Sequence, residues 1–272
     1  MQDWILLAAA MLATGCLAGV LAGLFGIGGG IVIVPVLEAV LGLLGVDTAI
    51  RMHIAVATSL ATIIPTSISS ARAHHHRGAV DVEVVKHWSL YVLTGALLGA
   101  WIASQVHSRV LAAVFATLAL LVALKMVLLP QSRNLTETIP RGAWVPIIPA
   151  AIGCLSSMMG IGGGTFSVMT LTLFNEPIHR AVGTAALFGL VISLPGTLGF
   201  IATGWNDPRL PPGSLGYVSM VGFLFIAPTT VLCAPLGARL AHAFSARTLS
   251  VAFGSFLVVV AARLFWRAFS GA

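Results

Sequence analysis

Residues 4–37 read WILLAAAMLATGCLAGVLAGLFGIGGGIVIVPVL, 34 positions without one Asp, Glu, Lys or Arg. As a single α-helix this run would measure ~51 Å, against a bilayer hydrocarbon core of ~30 Å. Tilt absorbs a few residues of excess but not this many. The run must therefore break. Gly26-Ile27-Gly28-Gly29-Gly30 is the place, because glycine is the poorest helix former after proline. Residues 4–25 then form one helix and 31–44 a shorter one containing Pro35.

The same device occurs twice. Residues 142–175 form a second charge-free run of 34, and Gly160-Ile161-Gly162-Gly163-Gly164 sits inside it. Other features repeat in the same order. His53-x-Ala55-Val56-x-Thr58 returns as His179-x-Ala181-Val182-x-Thr184. Gly99-Ala100-x-Ile102-Ala103 with Arg109 returns as Gly237-Ala238-x-Leu240-Ala241 with Arg247. The offsets are 134, 126 and 138, so loops differ while the order holds. Residues 130–142 are polar and bracketed by Pro130 and Pro140, a linker signal. The chain thus divides into a first repeat (1–129), a linker (130–142) and a second repeat (143–272), together one membrane domain.

Composition sets the class. Of 272 residues 58% are hydrophobic and 8% charged, whereas soluble domains carry about 25% charge. A water-soluble enzyme, a disordered chain and a disulfide scaffold are excluded. Continuous apolar runs, rather than ~10-residue alternating segments, exclude a β-barrel. The expected fold is all-α, a polytopic membrane helical bundle. The segments are 4–25, 31–44, 51–72, 86–105 and 109–129, then 143–159, 165–175, 178–202, 214–237 and 246–267. Five segments per copy turn the second copy over, giving two inverted repeats with Gly-broken helices, a common transporter plan. Residues 4–25 read as a retained helix, since Gln2 and Asp3 supply no positive leader region. In this scheme nine basic residues fall on one side and five on the other, with both termini on the poorer, outer side of a plasma (inner) membrane. An eight-crossing scheme splits the charges equally well with both termini inside. The +6 net charge sits in short loops, and no nucleic-acid motif accompanies it.

Several residues are candidates for chemistry. Glycines in lipid often serve only close helix packing. Here the cluster is doubled, and unwound backbone at membrane depth is tolerated only in buried or wet surroundings. Gly28, Gly29 and Gly30, with Gly162, Gly163 and Gly164, also open the following helices. A helix N-terminus offers amide donors and partial positive charge to an anion. Thr58, Ser59 and Thr184 are expected beside that site, the two threonines being repeat-matched. Most other hydroxyls on these helices are expected to bond back to their own helix. Pro65 and Pro195 are expected to interrupt it. His53 and His179 are matched gate or proton-relay candidates, with helix-end capping as the plainer role. Glu38 is the one acid placed within an apolar segment, and interfacial snorkelling is its expected state. His74-His75-His76 resembles a metal tract, but three adjacent residues diverge on a helix and Arg72 and Arg77 flank them. Neither a metal nor a cofactor is expected. Cys16, Cys154 and Cys233 have no metal-type spacing and read as small buried hydrophobes.

In combination these motifs resemble the TauE/SafE family of sulfite and organosulfonate exporters. The resemblance rests on the paired GIGGG breaks, Ala55 to Leu60 (AVATSL) followed by Pro65-Thr66-Ser67, and Ala73 to Asp81 (AHHHRGAVD). Ala181 to Thr184 (AVGT) and Pro195 to Phe200 (PGTLGF) complete it. It covers nearly the whole chain and implies a secondary transporter of small sulfur-containing oxyanions, with about eight spans. The residues themselves reach only an anion transporter. The expected partners are therefore a small anionic substrate and the lipid bilayer; a homo-oligomer stays open. The rival reading is a metal-cation transporter built on His74 to His76 and Glu38. No paired carboxylates, HExxH motif or nucleophile elbow supports a membrane enzyme.

Overall fold

The computed structural model describes residues 2–25, 29–128, 146–241 and 246–270. Ten helices stand among them: α1 (Gln2–Phe25), α2 (Gly30–Leu43), α3 (Arg51–His76), α4 (Val82–Gln105), α5 (Ser108–Leu128), α6 (Ile147–Met159), α7 (Gly164–Leu173), α8 (Ile178–Gly204), α9 (Met220–Ala241) and α10 (Ala246–Ser270). A two-residue hairpin, β1 (Ser214–Leu215) with β2 (Val218–Ser219), ends the α8–α9 connection. Each expected segment has its helix, and the linker at 130–142 lies outside the described residues.

The packing obeys the repeat. α1 lies along α9 as α6 lies along α4, while α3 pairs with α8 and α5 with α10. Small residues seat the first two pairs. A Cβ on Gly19 would meet Cα of Thr230 at 2.9 Å, and one on Gly153 would strike Val92, the residue at Thr230's place in the first repeat. Gly237 abuts Val20 as Gly99 abuts Cys154, again matched positions. Without a hydrophobic drive between helices in lipid, such close backbone approach is what holds them.

Direction follows from the contacts. Along α3 and α8, Leu60 lies by Gly196, Ser67 by Gly189 and His74 by Gly183. One number rises while the other falls, so this self-matched pair is antiparallel. A twofold that carries α3 onto an antiparallel α8 lies across the helices. The repeats are inverted.

Let the near end be the one where α3 begins. The Met52 N–H donates to Ser108 Oγ (3.1 Å), bringing the start of α5 there. Arg267, late in α10, pairs with Glu38 on α2, so α2 also finishes near this end. Since α1 runs parallel to α9, which starts here, α1 and α2 form a hairpin that enters and leaves at one end. α6 and α7 form the other hairpin from the far end, where Arg180 joins Glu176 and Asp81. At ~21, ~20 and ~15 Å, α2, α6 and α7 are too short to cross ~30 Å of hydrocarbon. Among the described residues five helices are long and apolar enough to span by themselves, in α3, α5, α8, α9 and α10. The outward residues are apolar as lipid requires, among them Leu97 and Trp101 on α4 and Leu232 on α9. The protein is a multi-pass membrane protein.

One local expectation fails. Pro65 and Pro195 lie inside α3 and α8, which continue through them. Each proline removes one helical N–H donor, and the neighbours packed on both helices hold the remaining turns together.

Candidate functional site

At both breaks the described residue that precedes the second arm has the same backbone conformation. α1 ends at Phe25 and α2 begins at Gly30; α6 ends at Met159 and α7 begins at Gly164. The residue before each second arm is a left-handed glycine, Gly29 (φ 71°, ψ −19°) and Gly163 (φ 74°, ψ −9°). A side chain there would be strained by ~1–2 kcal/mol, which is why glycine occupies the matched positions. The carbonyl of each starts its helix: Gly29 accepts from Val32 and Ile33, and Gly163 accepts from Ser167.

The breaks meet. A Cβ on Gly30 would strike the Gly160 carbonyl and come within 3.0 Å of Ser59 Oγ. Ser59 Oγ donates to that same carbonyl at 2.8 Å. Gly162 lies under Ile63, and Gly163 under Ile192, so apolar side chains close part of the second break. Gly164 is buried as the first residue of α7. Gly28 lies outside the described residues.

Thr58 and Thr184 are fully buried and act as matched braces between repeats. Thr58 Oγ1 accepts the Ser219 N–H just before α9, and Thr184 Oγ1 accepts the Asp81 N–H just before α4, both at 2.9 Å. Ser219 and Asp81 are themselves equivalent at the offset of 138. Each acceptor role leaves the hydroxyl proton free to donate elsewhere.

The matched histidines differ. His53 is buried, with Nε2 at 3.0 Å from the Ala103 carbonyl and 3.1 Å from that of Val106. Two carbonyl acceptors place the proton on Nε2, while the buried Nδ1 has no partner. Its ring lies 5.2 Å from that of Tyr217. His53 thus ties α3 to the end of α4 rather than capping its own helix. His179 is exposed in the first turn of α8. Glu38 does not snorkel: its side chain is 7% exposed and paired with Arg267, with Arg51 and Arg267 both packed on Gly42. The Arg267 guanidinium compensates the buried carboxylate through Oε1, which is why burial is tolerated. His74 to His76 form the last turn of α3, and among the described residues no three His, Cys, Asp or Glu side chains converge.

Polar knots close each end. At the near end Asp207 is held well below the usual carboxylate range, chiefly by the Arg209 hydrogen bond. Tyr217 donates to Asp207 at 3.0 Å, and burial first, then that carboxylate, pushes its hydroxyl up to about 12. At the far end burial raises Glu176 while Arg180 opposes the shift. A cleft of about 400 Å³ opens at the near end beside Leu44 to Asp47, Arg209 and Pro211. None of the repeat-matched candidates lines it.

The sequence did not single out a cluster that the structure brings forward. Ser156 and Ser157 on α6, Thr165 and Ser167 on α7, and Ser193 and Thr197 on α8 are buried with hydroxyls that have no partner. All six lie on the helices packed around the second break. Their density around GIGGG was a usable signal, since the first break is followed by Ile31-Val32-Ile33-Val34 instead.

A profile described as sulfite exporter TauE/SafE matches residues 11–264. A Haemophilus influenzae protein named "Probable membrane transporter protein" is 36% identical over 254 residues, 93% of this chain and 96% of its own length. The Bacillus subtilis protein YunE, also named a probable membrane transporter protein, is 24% identical over 93% of this chain and 95% of its own. A Methanocaldococcus jannaschii protein of the same description is 23% identical over 95% of both chains. No solved structure matches the chain.

Proposed function

Because the chain belongs to the TauE/SafE family and is a membrane transporter, we propose that it is a secondary transporter of a small sulfur-containing oxyanion, such as sulfite or an organosulfonate. The observation that carries this reading is the meeting of two glycine breaks at the start of short helices. The family's printed description, sulfite exporter, favours the sulfur-containing class. The anion sits between the breaks. Amides of Gly29, Gly30, Gly162 and Gly164 supply donors at helix N-termini, where partial positive charge replaces a buried Lys or Arg, and the Gly163 amide joins them once it leaves the Ile161 carbonyl. The free hydroxyl protons of Thr58 and Thr184 add donors when the braces loosen, and Ser59 gives up the Gly160 carbonyl.

In the packed arrangement Gly30 abuts Gly160, and Ile63 and Ile192 cap the second break. Substrate entry therefore requires one hairpin to move against the other repeat. The braces are the contacts that change, since each joins a break-bearing half to the opposite one. His53 and Tyr217 gate the near end; His179 lies at the far mouth. Inverted repeats give the two directions of opening equivalent contacts, the geometric basis of alternating access.

Flux of radiolabelled sulfite and sulfoacetate into proteoliposomes tests this. Saturable flux of either is expected. Neither flux nor binding for any small oxyanion would end the reading.

A further inference from the structure

We propose that the polar head of the substrate is held by a one-sided cradle of second-repeat hydroxyls, Ser157, Ser167, Ser193 and Thr197, opposite an apolar wall. The cradle selects a compact organic monoanion over an inorganic dianion. This rests on the reading above, in which the breaks hold the substrate.

These four, with Ser156 and Thr165, are between 0 and 7% exposed and make no hydrogen bond. Buried hydroxyls normally find a partner, and in a helix interior the carbonyl one turn back is within reach. Neighbours on the same helices take it. Thr172 on α7 donates to Val168 (2.8 Å), and Thr203 on α8 donates to Gly199 (2.9 Å). The six do not, so they are turned away from their own backbones.

Four of them, Ser157, Ser167, Ser193 and Thr197, are grouped around one place, while Ser156 and Thr165 diverge from their helix neighbours Ser157 and Ser167. Gly189, Ser193, Gly196 and Thr197 share a face of α8 by helical spacing. That face lies on the second break. Ser157 Oγ would be 2.9 Å from a Cβ on Gly196, and the Gly162 carbonyl would be 3.0 Å from one on Gly189. Ser167 Oγ would be 3.5 Å from one on Gly163. Hydroxyls from three helices thus bracket the first turn of α7. Facing them are Leu60, Ile63 and Ile192, each packed on the same glycines.

The twofold does not duplicate this arrangement. At the repeat offsets the six correspond to Ala22, Gly23, Ile31, Ile33, Ser67 and Ala71. Only Ser67 keeps a hydroxyl. One substrate therefore binds per chain, with its acceptor oxygens toward the second repeat and its body toward the wall. The donors are neutral, so a dianion would keep charge that nothing in the cradle compensates. A carboxylate or a sulfonate on a short alkyl body satisfies both sides.

Calorimetric titration of the purified full-length protein with methanesulfonate, propionate and sulfate tests the proposal. The better organic monoanion is expected to bind at least tenfold tighter than sulfate. Whichever is tighter, methanesulfonate or propionate, names the head group. Ser193→Ala with Thr197→Val is expected to weaken it at least tenfold, while Thr172→Val and Thr203→Val stay within twofold. Losing unpartnered hydroxyls should leave Tm unchanged or higher, so weaker binding would not reflect unfolding. Unchanged affinity in the double variant, or sulfate as the tightest ligand, would overturn the cradle. So would a response to sodium alone that vanishes with these hydroxyls while anion affinity persists. Wild-type protein that binds and moves no small anion would instead overturn the transport reading itself.

Discussion

The two glycine breaks share a backbone and differ in their side chains. Gly29 and Gly163 adopt the same left-handed turn, and both open a short returning helix. Yet Ile31 and Ile33 follow the first, while Thr165 and Ser167 follow the second. Symmetry is kept where two helix pairs must pack and two repeats must brace. It is abandoned around the second break, where the proposed substrate cradle lies. An inverted repeat can thus supply a symmetric mechanism of opening with a single polar half-site.

The largest expected effect breaks the backbone side of that comparison. Gly30→Ala places a methyl on the Gly160 carbonyl, which cannot rotate away. We expect about 3 kcal/mol of destabilisation, the upper range for an overpacked core, and loss of transport. Gly162→Ala meets only the Ile63 side chain, so it should cost less. Gly45→Ala, at positive φ unlike those two but with open space around it, should cost about 1 kcal/mol and spare transport. Melting curves in detergent with parallel flux assays rank the three.

Next come the acids of the two hairpins. Arg267→Gln leaves Glu38 buried with a weaker set of partners, and about 3 kcal/mol is expected, the low end for a broken buried pair. Arg180→Gln in the second repeat removes an exposed partner of Glu176 and Asp81, and less than ~1 kcal/mol should follow. Equal shifts in Tm would show that the Glu38 pair does not hold α2 to α10.

The braces give a smaller contrast. Thr58→Val strands the buried Ser219 N–H, for an expected ~1–3 kcal/mol. Thr184→Val strands the part-buried Asp81 N–H and should cost nearer 1 kcal/mol. Thermal unfolding of both variants settles the order.

The smallest effect is a pH dependence at one end. The Tyr217 hydroxyl titrates higher in the folded chain, at about 12 against 10. Its contribution is fully present below pH 10 and lost as pH rises through 12. Tyr217→Phe should flatten that alkaline limb of stability. The equivalent residue in the first repeat is Ala79, so no far-end counterpart is expected. An unaltered limb in the variant would assign the loss to another group.

Much of the fold was legible because membrane constraints write it in large units. Charge-free runs of 34 residues force a break, and three ordered motifs at drifting offsets reveal the repeat. The hairpins needed structure, because charge placement fits either crossing scheme. The site was legible only in part. Gly29 and Gly163 could be named, since glycine is nearly obligatory at their φ. Thr58 and Thr184 could be paired, but not the amide each accepts from, which comes from 161 and 103 residues away. Glu38 was misread because its partner Arg267 lies 229 residues along the chain. Ser156, Ser157 and Ser193 look like ordinary helix hydroxyls until their missing back-bonds are seen.

Selenite, a sulfite analogue with an anomalous scatterer, offers the most direct test of where an anion rests. In crystals of the protein grown with selenite at mildly acidic pH, where it is the singly charged hydrogenselenite, the account predicts an anomalous peak between the starts of α2 and α7, beside Ser193 and Thr197. A peak confined to the basic helix ends at Arg51 and Arg267, or none in protein that transports the anion, would contradict it.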